Sequence, residues 1–112
     1  MKRVILSFFL LAMSLSTFAT TYTKEQLNER VRTGNYPEQW SPQTVSDEIV
    51  GFEKCKATVK NIFDSVSGSY PTSVLMDSSA AYSVKLWTND GTVLMTCTQP
   101  DNRMKVQKSS YK

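Results

Sequence analysis

Apolar residues recur every three or four positions along residues 46–66, at Ile49, Phe52, Cys55, Val59, Ile62, Phe63 and Val66. That spacing places them on one stripe of an α-helix. Asp47, Glu48, Lys54, Lys56, Lys60 and Asp64 fall mostly off the stripe. Thr44 or Ser46 is placed to cap the helix, and Asp47 and Glu48 suit the positive end of its dipole. Gly51 inside it costs about 1 kcal/mol relative to alanine. Gly68 ends it, and Tyr70-Pro71 turns the chain.

From Thr72 onward the period changes to two, the signature of strands. Residues 74–76 make a short strand, 81–88 a second, 92–98 a third and 103–110 the last. Asn89-Asp90-Gly91 is a hairpin signal, and Gln99-Pro100-Asp101-Asn102 a further turn. With Asp90-Gly91 as a two-residue loop, Thr88 faces Val93, Leu86 faces Met95 and Val84 faces Cys97. One face of the sheet is then Tyr82, Val84, Leu86, Val93, Met95 and Cys97, joined by Met104 and Val106. This apolar face fits the apolar helix stripe, and each carries a cysteine. On the other face Trp87 stands opposite Leu94, beside Lys85, Thr96 and Lys105. Trp87 there is either covered by the residues before the helix or exposed as part of a binding patch.

Residues 20–44 read as an arm. Thr23-Lys24-Glu25-Gln26 is a capping box, with Tyr22 and Leu27 placed for a hydrophobic staple. The short helix it starts runs to about Thr33, before Gly34-Asn35. Pro37 and Pro42 then favour extended backbone, and Tyr36 and Trp40 lie in this segment. Both rings either dock on the domain or contact a partner, since aromatics are favoured interface anchors. The expected fold is α+β: one amphipathic helix on a three- to four-stranded antiparallel meander, with an N-terminal short helix and extended arm.

The first nineteen of the 112 residues change the composition. Lys2 and Arg3, an apolar run over 4–13, and small residues at Thr17 and Ala19 have the layout of a signal peptide cleaved after Ala19. The run is about ten residues, half of what a membrane span needs. The division is therefore 1–19 signal, 20–44 arm and 45–112 domain, with no stable membrane insertion after cleavage. Lys2 and Arg3 leave with the signal, so 13 basic side chains become 11 against 10 acidic, and the net charge falls from +3 to +1. Nothing in that balance calls for nucleic acid. Arg103, Lys105, Lys108 and Lys112 near the end read as a solvated edge strand, where lysine blocks unwanted pairing.

Two cysteines in a small exported chain imply one disulfide, Cys55–Cys97. It closes a loop of about 43 residues, worth roughly 4 kcal/mol in chain-entropy terms. The chain has no histidine, which removes the usual triads and zinc sites. There is no glycine-rich phosphate loop, no alternating acidic run for calcium, and the aspartates at 77, 90 and 101 sit in turns where they bond backbone. No catalytic residue, metal site or cofactor is expected. Elimination leaves a periplasmic or secreted binding module, a monomer or weak dimer whose partner is another envelope or secreted protein. It reads first as an inhibitor or immunity protein against an envelope enzyme or toxin. The alternative is an accessory subunit of a secretion or conjugation apparatus. The candidate contact residues are Tyr36, Trp40, Trp87 and Leu94, with the loop tips Asn89, Asp90, Asp101 and Asn102.

Overall fold

A computed structural model describes residues 20–112. The expected signal peptide lies outside the described residues. Two helices and five strands follow in the order α1 (Lys24–Arg32), β1 (Gln43–Ile49), α2 (Phe52–Ser67), β2 (Thr72–Asp77), β3 (Ala81–Thr88), β4 (Gly91–Thr98) and β5 (Arg103–Ser110). The strands form one antiparallel sheet in the order β1-β5-β4-β3-β2. The fold is α+β, with α2 over one face and α1 over part of the other.

The apolar stripe and the apolar sheet face meet as their periods require. Phe52, Cys55 and Val59 of α2 are buried with Tyr82, Val84, Leu86, Met95 and Cys97, and Ile62, Phe63, Val66, Val93, Met104 and Val106 pack around them. Cys55 and Cys97 are joined, with Cα atoms 5.9 Å apart and a separation of 42 positions in sequence. Helix and sheet are therefore tied through the middle of the core.

Three expectations are corrected. The helix begins at Phe52, not near Ser46, and the sheet has five strands rather than three or four. Residues 43–49 form β1 and pair with β5 from Gln43↔Lys108 to Ile49↔Arg103. A free strand edge leaves backbone donors and acceptors unpaired. Satisfying that edge outweighs one more turn of helix, and Ile49, the first residue of the expected stripe, is 77% exposed. Thr44 and Ser46 are strand residues, and Gly51 is the N-cap with no side-chain capping bond. Second, β5 is not an edge strand, because β1 covers it.

Third, the hairpin loop is Asn89-Asp90, with Thr88↔Gly91, Leu86↔Val93, Val84↔Met95 and Tyr82↔Cys97. The shift is two residues, so every side chain keeps its expected face and only the cross-strand partners change. Gly91 is a strand residue, and a Cβ there would overlap the Ser109 carbonyl oxygen of β5. Glycine at this position serves close backbone approach rather than turn geometry.

Replacing both Cys55 and Cys97 with alanine is expected to cost about 3–4 kcal/mol. Urea unfolding of the oxidised chain and of the double variant measures the difference.

Candidate functional site

The capping box at the start of α1 is formed: the Thr23 amide donates to Gln26 Oε1 at 2.8 Å, and the Gln26 amide donates to Thr23 Oγ1 at 3.1 Å. Leu27 is the one fully buried residue of α1. It packs with Trp87 and Tyr111 in a second apolar cluster, on the opposite face of the sheet from α2, with Tyr22, Val31 and Tyr70 around them. Of the two readings of Trp87, the covered one is observed: it is only 5% exposed. Tyr36 stacks on its ring at 5.8 Å and 20°, and Lys85 Nζ lies 5.0 Å from the ring centroid. Desolvation lowers the pKa of the Lys85 amine. The Trp87 Nε1 donor is buried, with no hydrogen-bond partner among the described residues. In the observed register Trp87 pairs with Thr92, and Leu94, half-buried, stands opposite Lys85. Trp87 and Leu94 are thus not directly opposite one another, and together they form no exposed cross-strand pair.

The arm is fastened by main-chain bonds as well as by packing. Tyr22 N–H donates to the Asn89 carbonyl at 2.9 Å, Trp40 N–H to Ser110 at 2.8 Å, and Lys112 N–H to Glu38 at 2.9 Å. Thr92 Oγ1 donates to Gln39 Oε1 at 2.7 Å. Tyr111 joins arm and sheet: it is fully buried, stands edge-on to Tyr22 at 5.0 Å, and donates its hydroxyl to the Thr88 carbonyl at 2.7 Å. Burial raises its phenol pKa well above the usual tyrosine range.

Tyr36 and Trp40 divide the two roles offered to them. Tyr36 docks on Trp87 yet stays 54% exposed, whereas Trp40 is 59% exposed with Lys112 Nζ 4.9 Å from its ring. The arm brings both to the end of the sheet that carries the Asn89-Asp90 turn. Asp101 and Asn102 occupy the far end of β4, eight residues away, or roughly 25 Å. The two loop tips therefore cannot enter one cleft together. Both tips also serve their own turns. Asp90 Oδ1 accepts from Thr88 Oγ1 at 3.2 Å and Asp101 Oδ1 from Thr98 Oγ1 at 2.7 Å. Asn102 has φ +54°, and its carbonyl accepts the Val50 amide at 2.9 Å.

Two surface features were not legible in advance. An open groove of about 350 Å³ runs over the uncovered part of the outer sheet face, lined by Asp47, Thr96, Thr98, Asp101, Arg103, Lys105 and Gln107. Its charges largely answer one another, with Arg103 Nε 3.1 Å from Asp47 Oδ1. The groove depends on β1, which the helical reading of residues 46–49 concealed. The other feature is the edge strand β2, where Val74, Leu75 and Met76 are all about half exposed. A short apolar run in a strand signals burial, and only topology shows that this one lies outermost. Among the described residues no group of three or more metal-ligating side chains occurs, and no helix is long and apolar enough to cross a membrane. No family model, curated protein or solved structure matches the chain.

Trp87→Ala is expected to destabilise the protein by about 3 kcal/mol or more, seen as a lower melting temperature. Tyr111 supplies a pH test. The native state holds its phenol proton, while the unfolded chain releases it from about pH 10 upward. Its contribution is complete below that pH and declines above it, by at most about 1.4 kcal/mol per pH unit. Tyr82, whose pKa is raised by burial and then by Asp77, acts in the same direction. Urea unfolding between pH 9 and 11 should show the decline, and Tyr111→Phe should make it shallower.

Proposed function

We propose that this chain is a small exported, non-catalytic protein-binding module of the inhibitor or immunity type, acting on an envelope enzyme or a toxin. Export draws its support from the signal-peptide layout of residues 1–19 and from the Cys55–Cys97 disulfide, which needs an oxidising compartment. The observation that carries the binding role is the arm. Residues 20–42 present Trp40 and Tyr36 at the surface while already fastened by Leu27 and by backbone bonds to Asn89 and Ser110. Exposed aromatics on a rigid support are effective anchors, because little conformational freedom remains to be lost on binding. The contact surface in this reading is the end of the sheet holding Trp40, Tyr36, Asn89 and Asp90. Trp87 supports it from beneath.

The alternative is an accessory subunit of an envelope assembly, such as a secretion or conjugation apparatus. Its support is the exposed β2 edge, which could take a strand from another protein. An arm that orders only on its partner is not needed for either reading.

The test is a pull-down from the native cell envelope with the tagged, oxidised chain, read by mass spectrometry. A single stoichiometric hydrolase or toxin is expected. Its recovery should fall at least about tenfold with Trp40→Ala, the scale of an interface anchor, with the melting temperature unchanged. Several envelope components captured together would select the alternative, and recovery of the bait alone would count against both.

A further inference from the structure

The two edges of the sheet differ in the charge they carry. β1 carries two charges, Asp47, which Arg103 Nε answers at 3.1 Å, and Glu48. Acidic side chains along an edge oppose pairing with another copy of the same edge. β2 carries one charge, Asp77, at its end, and that charge is answered within the chain by Lys56 Nζ at 3.3 Å. Its middle is Val74-Leu75-Met76, exposed by 47%, 53% and 51%. Among the described residues no strand pairs with the outer side of β2. Like β1, which follows Pro42 and shifts register between Thr44 and Ser46, β2 follows a proline, Pro71, and shifts register between Val74 and Met76.

We propose that β2 is the dimerisation edge of this protein, pairing antiparallel with β2 of a second copy about a twofold axis between Val74 and Leu75. Thr72 then lies opposite Asp77, Ser73 opposite Met76, and Val74 opposite Leu75. No like charges face each other, and the apolar middle of each strand covers that of the other. The two five-stranded sheets become one continuous sheet. A twofold axis closes the assembly at two chains, whereas pairing β2 with β1 of the next copy would leave an open filament.

The flank of α2 fits the same axis. Lys56 lies level with Asp77. The middle of β2 is about 8 Å from Asp77 along the strand, equivalent to between five and six residues of helix, at roughly 1.5 Å each. That level falls at residues 61–62, midway between Lys60 and Asp64. Both are exposed, share the flank of Lys56 by helical spacing, and enter no salt bridge among the described residues. The twofold axis sets Lys60 of each copy level with Asp64 of the other, opposite in sign. The dimer leaves the Trp40 end of each copy free and does not depend on the proposed inhibitor role.

The test is sedimentation equilibrium of the purified, oxidised chain from about 5 to 500 μM, with amide hydrogen exchange followed over the same concentrations. The expected results are a monomer–dimer equilibrium and slowing of exchange in β2, but not in β1, as concentration rises. Leu75→Lys should raise the dimer dissociation constant by about thirtyfold or more, the scale of one interface hot spot, with the circular dichroism spectrum unchanged. A chain that stays monomeric at 500 μM would overturn the proposal. So would a dimer whose β2 exchange is independent of concentration, a reading that needs no variant to fold.

Discussion

The bond between Cys55 and Cys97 is the constraint on which the rest depends. It joins α2 to β4 at the centre of the larger apolar cluster, where both cysteines are fully buried. The covered sheet face is formed by strands that follow α2 in sequence, so helix docking and hairpin formation are otherwise separate events. A covalent tie between them removes much of the entropy of the open chain. A domain this small buries a modest apolar area, so one cross-link can supply much of its net stability.

With that layer fixed, the outer face becomes available to the arm. Trp87 is the key residue, because its place in β3 turns a large ring away from α2 and requires other cover. Leu27, Tyr36 and Tyr111 supply it. Trp87 Nε1 without a partner is a cost accepted within this arrangement, since a buried donor forgoes its bonds to water. The cover extends over only part of the face. Beyond it lie the polar groove around Arg103 and Asp47 and the bare edge of β2. The molecule thus presents an aromatic end, a polar face and an apolar edge.

What the sequence revealed and what it hid have a common cause. Period and local chemistry identified α1 through its capping box, the body of α2, β3 to β5, and the division of the sheet into two faces. Face assignment survived the two-residue error in hairpin register because strand side chains alternate with period two. Long-range pairing was not legible. Residues 46–49 look helical next to Phe52, and only the empty edge of β5, more than fifty residues away, makes 43–49 a strand. The same gap concealed the groove, made β5 look like an edge, and left the cover on Trp87 undecided. Among the candidate contact residues, Tyr36, Trp40, Asn89 and Asp90 come to one end. Trp87 is buried beneath them, Leu94 is half-buried beside Lys85, and Asp101 and Asn102 are at the far end.

The central claim is that the aromatic end is already built in the free protein. Limited trypsin digestion of the oxidised chain, with fragments read by mass spectrometry, tests it most directly, because Lys24, Arg30 and Arg32 place cleavable bonds within α1. A fastened arm predicts that these bonds are cut no faster than those in α2. Rapid, selective cleavage at Arg30 and Arg32, with the residues from β1 onward left intact, would show an arm that is loose in the free protein and would contradict the claim.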